Sequence, residues 1–412
     1  MALRHPHGHR WMLFFFVLLP SVWSVEGLLH VQSSIQPGNA RRGAKHIVEG
    51  KDTNSQTIIQ TPQELQDMSF LNAARTPGSL RYVSNWRDWS DKSVDAIRYH
   101  LSQNLPHPAD PEGFGQLFYN LGTAADRGEM PCFADPGSRS GYALEFFCRS
   151  KLLADLIFDN YSSSIFDFSS DDTQLGSNPD DSNDFHLMSV GGACGYDYVG
   201  VLLAESFATS GQGKTCIKAK AFDYEEGWKD LVESMHTATN SALLNTNKSS
   251  LEWGGPCDIT KSLADLTNKD CAASVPTTDI FICQYCIAEN AKSLRESQFQ
   301  FFSDLFENAK NDAVFVFTEV TPRIWPDIVD VVLRQEGGGD GFMIDFMRGE
   351  RRRSGPHLVI RKREGATFNR ENVFGFCDEY RRMDRLHQRK IENGYRRQAR
   401  KVRGGKAFVA SQ

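Results

Sequence analysis

From residue 185 onward the chain repeats one pattern: a short apolar run, a turn rich in glycine or polar residues, then a stretch with helical spacing. The runs lie in "FHLMSVGGACG", "TCIKAKAFD", "SLEWGGPCD", "TDIFICQYCIAEN", "DAVFVFTEV", "DGFMIDFMRG" and "PHLVIRKRE". Segments such as "FICQYC" and "VFVF" do not alternate, as expected of strands buried on both faces. Between them, 198–208, 224–245 and the amphipathic stretch 291–310 ("AKSLRESQFQFFSDLFENAK") predict helices. Strands separated by helices at this spacing predict an α/β fold: a mostly parallel sheet with helices on both faces.

The remaining sequence organises around that domain. Residues 1–24 hold two arginines and then "WMLFFFVLLPSVW", an apolar run too short to span a bilayer comfortably. This predicts a cleaved signal peptide. The acid-poor stretch after it resembles a transit peptide, so both a secretory route and a two-part organelle address stay open. Residues 25–80 lack periodicity and predict poor order. Residues 81–160 predict an N-terminal helical region, with "SVDAIRYHLSQNL", "GFGQLFYNLGTAADRG" and "GYALEFFCRSKLLADLIFDN" as its pieces. Residues 161–184 are an acidic, Ser-rich linker. The sheet domain covers 185–365, and 366–412 form a basic tail. Residues 381–412 carry eleven Lys/Arg and two acids, a net of +9 in a chain of net −6, which leaves −15 on the rest. Any polyanion contact, RNA included, is therefore expected in the tail or at "RGERRR" (348–353). Nine cysteines with a single C-x-x-C (Cys283, Cys286) argue for buried thiols rather than a disulfide framework or a metal site.

Two nucleotide motifs are tested by their context. "ATSGQGKT" (208–215) fits a loose phosphate loop in which Lys214 would meet phosphates and Thr215 would hold Mg²⁺. Such a loop must follow a strand and open a helix. Here a helix precedes it and a strand follows, so a nucleotide hydrolase is the weaker reading. The turn after the first strand runs Ser189-Val190-Gly191-Gly192-Ala193-Cys194-Gly195-Tyr196-Asp197. Its small residues allow a sharp turn and a close approach to a ligand at a strand's carboxyl end. The dinucleotide fingerprint G-x-G-x-x-G fails there, because Ala193 and Tyr196 replace the second and third glycines.

This turn resembles the first motif of class I S-adenosylmethionine-dependent methyltransferases, acid-x-G-x-G-x-G, with Ser189 at the acidic position and Gly191, Ala193 and Gly195 at the glycines. The resemblance covers about residues 185–362. It implies a Rossmann-like methyltransferase sheet, S-adenosyl-L-methionine as cofactor, and methyl transfer as the activity. Gly192 would lie along the same cofactor contact, and Asp197 would stand in for the acid missing at Ser189. Asp223, closing the second strand, would accept hydrogen bonds from the ribose hydroxyls. Asp258 would contact the adenine, with Ile259 against its face. Tyr285, at the fourth strand, would border the cofactor, while Cys286, Glu289 and Glu319 would face the acceptor. No catalytic residue is named, because displacement at an activated methyl needs alignment and exclusion of water rather than a triad. The Asn-Pro-Pro-Tyr motif of exocyclic-amine methylation is absent from the fourth strand. "AFDYEEGWKDLV" and "QYCIAE" resemble segments of a fungal family of ribosomal-RNA uridine methyltransferases, which implies RNA as the acceptor. Ser189 keeps the alternative open: an inactive domain of this fold acting as a binding protein.

Overall fold

The computed structural model describes residues 80–127, 132–160, 184–208, 216–243, 248–319, 321–348 and 356–409. The signal segment, most of the predicted linker, Lys214, Thr215 and the arginines at 351–353 lie outside the described residues. Seven strands form one sheet: β1 (Asp184–Val190), β2 (Cys216–Asp223), β3 (Ser250–Pro256), β4 (Ile280–Gln284), β5 (Val314–Thr318), β6 (Phe342–Arg348) and β7 (Pro356–Lys362). Their order is β3-β2-β1-β4-β5-β7-β6, parallel except for β7, which runs against both neighbours. This is the α/β fold read from the sequence: a mostly parallel, Rossmann-like sheet with helices on both faces. Chain direction reverses its march between β1 and β4, which places the switch point of the sheet there.

The strands are buried on both faces, as their unbroken apolar runs require. Leu187, Ile282 and Val316 point into one core, and Met188, Phe281 and Phe315 into the other. The first core is closed by α1 (Leu80–Gln103), α4 (Cys148–Asn160), α5 (Tyr196–Ala208) and α6 (Lys229–Ala242). Between α1 and α4 in sequence lie α2 (Pro111–Arg127) and α3 (Pro136–Glu145). Trp86 of α1 stacks on Phe158 of α4 at 4.4 Å and donates Nε1–H to Asp155 at 2.7 Å. The N-terminal helices and the sheet thus share a single core.

The second core is closed by α7 (Lys269–Ser274), α8 (Ala291–Glu296), α9 (Gln300–Asn308), α10 (Trp325–Leu333) and α11 (Arg370–Val409). Val373, Cys377 and Tyr380 bury the first turns of α11, and Arg381 reaches Asp330 at 2.7 Å. Beyond them Arg382, Arg385, Arg389 and Lys390 are exposed. Among the described residues no helix is long and apolar enough to cross a membrane.

Two stretches expected as single helices are broken. The stretch 291–310 divides into α8 and α9 because Gln298 and Phe299 take left-handed φ angles of 54° and 57°. That turn sends Phe299, 4% exposed, into the core. The stretch 141–160 belongs to α3 and α4, with the break at Phe146 and Phe147. Helix α3 starts earlier than expected, where Asp135 caps it by accepting from Ser138 N–H at 2.6 Å and Pro136 fills the first position.

Candidate functional site

The carboxyl ends of β1, β2 and β4 open into a narrow cleft. Its floor is the turn after β1. Gly191 has φ +63°, and a Cβ there would stand 2.8 Å from the Cys286 sulfur, so the position needs glycine for conformation and for space. Ala193 follows with φ +45° and turns its N–H toward Asp223.

Asp223 closes β2 and lines the cleft. Its Oδ2 accepts from Ala193 N–H and its Oδ1 from Glu225 N–H, each at 3.2 Å. Burial pushes its pKa up to about 7, against these backbone hydrogen bonds, which favour the ionised form. A third backbone donor, Tyr224, also acts on the carboxylate, which keeps acceptor capacity on its cleft side for a ligand hydroxyl. Ile259 forms an apolar wall beside it.

The tip of β4 forms the other end. Tyr285 takes a left-handed φ of 58°, anchored by its N–H to Thr318 O at 2.9 Å. Cys286 and Glu289 line the cleft after it. Burial raises Glu289 to about 7, opposed by the Arg149 charge and reinforced by Asp223. The Cys286 thiol is held well above its ordinary range by its hydrogen bond to Cys283 and by burial, with the two sulfurs 2.8 Å apart. All nine cysteines are free, and no group of three or more His, Cys, Asp or Glu among the described residues is placed to hold a metal ion.

Other expected site residues lie outside the cleft lining. Ser189 is fully buried, and its hydroxyl donates to Asp197 in the first turn of α5. Gln284 Nε2–H donates to the other Asp197 oxygen, and Thr318 donates to Gln284 Oε1 at 3.3 Å. This polar row ties β1, α5, β4 and β5 together beneath the turn. Asp197 is raised by burial to about 6 despite its two side-chain donors. Gly192 packs over the Ser189 hydroxyl, and Gly195 opens α5 against Leu251. Asp258 folds back on its own loop, accepting from Thr260 N–H at 3.0 Å and Thr260 Oγ1–H at 2.6 Å. Glu319 accepts from Ile287 and Ala288 N–H at 2.7 and 2.9 Å, holding the loop after β4 from beneath. Burial pushes it up to about 8.

Sequence reasoning missed the opposite wall. Phe133, Tyr142, Tyr224 and Trp228 form an aromatic face, with Phe133 and Trp228 centroids 5.2 Å apart and Tyr142 and Trp228 5.6 Å apart. Arg149, from the first turn of α4, reaches over Tyr285. Tyr224 and Trp228 lie in "AFDYEEGWKDLV", whose family resemblance carried no site role for them, and Phe133, Tyr142 and Arg149 belong to no motif. The Asp135-Pro136 cap is the one local sign, marking the start of the helix that carries Tyr142.

No family model matches the chain, and no curated protein matches it. Among solved structures it is similar to a SAM-dependent methyltransferase of Methanosarcina mazei, at 10% identity over 45% of this chain and 94% of that one, with a TM-score of 0.30. It is also similar to a TehB-like SAM-dependent methyltransferase of Corynebacterium glutamicum, at 10% identity over 62% of this chain and all of that one (100%), with a TM-score of 0.28. At these values the likenesses add nothing to the strand order already described.

Proposed function

We propose that the cleft binds S-adenosylmethionine and that the protein transfers a methyl group from it. One observation carries this reading. In a sheet of this order, Asp223 at the tip of β2 is held by backbone N–H groups directly beside the Gly191 turn at the tip of β1. The donor set fits the group: a carboxylate for vicinal hydroxyls, an apolar wall at Ile259 and Cys257 for a flat base, and a turn where Gly191 leaves no side chain between backbone and ligand. When bound, the cofactor supplies a methyl already activated on a sulfonium.

The chain's own residues would do the rest. Asp223 binds and orients through the acceptor capacity on its cleft side. The aromatic wall of Phe133, Tyr142 and Trp228 excludes water, which strengthens every polar contact inside. Glu289, half-buried at the tip of β4 with its pKa raised toward neutrality, is suited to take a proton from an acceptor. RNA is the acceptor class we favour, supported by the exposed Arg382, Arg385, Arg389 and Lys390 on α11, whose phosphate contacts would make binding salt-dependent. An organelle address at the N-terminus permits that acceptor, and a secretory one argues against it.

Ser189 supports a second reading. Where the resembled motif has an acid, this chain has a buried hydroxyl committed to Asp197, so no carboxylate at the tip of β1 faces the cleft. A binding domain without catalysis follows from that. Calorimetry of the full chain with S-adenosylmethionine and S-adenosylhomocysteine tests both. Micromolar binding weakened by Asp223→Asn, with methylation of bulk RNA, supports the first. Binding without transfer to RNA or small-molecule acceptors supports the second, and no binding at millimolar ligand by folded protein sinks the cofactor reading.

A further inference from the structure

The aromatic wall of the cleft continues past its mouth. The Phe146 centroid lies 4.6 Å from Tyr142, and Phe114 and Phe118 of α2 each lie 5.9 Å from Phe146. The rings run from Tyr142, buried in the cleft lining, through half-buried Phe146 and Phe114, to Phe118, 44% exposed. Helix α2 is anchored by buried Leu117 and Leu121, while Phe118 and the 58%-exposed Tyr119 turn outward. Gly115 lies one turn before them on the same face, and a Cβ added there would meet nothing within 4 Å. No side chain at that position covers the outer rings. Arg149 stands where the run enters the cleft, its guanidinium carbon 4.3 Å from the Phe146 centroid and 5.2 Å from Tyr142. It is the only cation among the described residues lining the cleft. Rings open to water beside a cation suit a polyanion whose charges alternate with flat bases.

We propose that the run from Phe118 to Phe146 is a stacking track for the unpaired nucleotides beside the acceptor, so that the RNA taken is single-stranded where it is methylated. The proposal rests on the RNA reading above. A base paired in a duplex cannot enter a narrow cleft without leaving the stack, which costs it its neighbours. Rings at the mouth replace that lost stacking for the flanking base, and Arg149 meets the phosphate at the turn into the cleft. Stacking of this kind tolerates any sequence, because every base has a flat face. The track therefore selects strandedness, and the cations of α11 add affinity for either form.

The test measures the anisotropy of a short fluorescent RNA of mixed sequence, alone and annealed to its complement. The proteins are full-length wild type, Phe118→Ala and Phe118→Tyr. Melting curves confirm folding, and Phe118→Leu, which keeps apolar bulk without a flat face, replaces the Ala variant if that fails to fold. Wild type should prefer the single strand. Phe118→Ala should weaken the single strand by about 5- to 100-fold, the span for one base stacked on an aromatic ring, and hold the duplex within about twofold. Phe118→Tyr should restore single-strand binding. The slope of affinity against salt should stay the same in Phe118→Ala, because a ring neutralises no phosphate. Equal wild-type affinity for the two forms, or a single-strand affinity indifferent to Phe118→Ala, overturns the track and leaves the RNA reading standing. Equal weakening of both forms means a structural role and also overturns it. If Phe118→Ala leaves RNA binding intact but turns a wild-type dimer into a monomer in sedimentation, the patch joins two copies of this chain and the track is wrong. If wild type binds neither form at low salt, RNA has failed as the acceptor and the track falls with it.

Discussion

The turns after β1 and β2 each bury an aspartate, and the two are solved in opposite ways. Asp197, 1% exposed, spends both oxygens on the side chains of Ser189 and Gln284 and lies beneath the turn. Asp223, 6% exposed, is held by the backbone N–H groups of Ala193 and Glu225 and faces the cleft. Side-chain donors close around a carboxylate and make it a tie between elements. Backbone donors hold one from behind and leave its front available. Burial alone therefore does not mark a site; the origin of the hydrogen bonds does.

The comparison can be broken at Asp197 first. Asp197→Ala strands the Ser189 hydroxyl and the Gln284 amide in the core, and should cost about 2–4 kcal/mol in urea unfolding. The variant that remains folded should bind nucleoside as wild type does. Asp223→Asn should do the reverse: nucleoside affinity falls by about 10- to 100-fold, with a stability loss near 1 kcal/mol because the amide turns an N–H toward one of its backbone donors. An equal loss of stability at both positions would end the distinction.

Smaller effects sharpen it. Gly191→Ala places a methyl against Cys286 at a left-handed φ and should cost about 1–2 kcal/mol, part of which Cys286→Ala restores. Glu319 gives the pH signature. Its folded pKa, about 8, lies above the ordinary carboxylate value, so its contribution is complete below about pH 4.5 and is lost as pH rises through 8. Glu319→Gln keeps the acceptor oxygen without the charge. It should match wild type at pH 4 and exceed it increasingly as pH rises toward 8.5 in denaturant melts. Asp223 and Glu289, each raised to about 7, contribute with the same sign.

The sheet was legible because doubly buried strands leave apolar runs that survive in one dimension, and the Gly191 turn because conformation demands small residues. Asp223 was legible as an acid closing a strand. Asp258 was not, since the same letter in Pro-Cys-Asp-Ile-Thr serves an adenine or, as found here, a turn that satisfies itself through Thr260. Arg149 sits between Cys148 and Ser150 with no periodic or motif signal, and its meaning comes from Tyr142 and Tyr285, the latter 136 positions away. The break at Phe299 was hidden because nothing in a run of good helix formers announces a left-handed phenylalanine; only the core that receives its ring does.

The cleft draws its walls from residues as far apart as Phe133 and Asn290, carried by α4, the segments flanking α3, and the tips of β1, β2 and β4. No fragment shorter than that span keeps it. Occupancy is therefore thermodynamically linked to the cooperative unit as a whole: each tenfold of ligand above its dissociation constant adds about 1.4 kcal/mol to unfolding of the N-terminal helices and the sheet together. A ligand for this protein would announce itself as a rise in melting temperature and as slower proteolysis at sites tens of residues from any atom it touches.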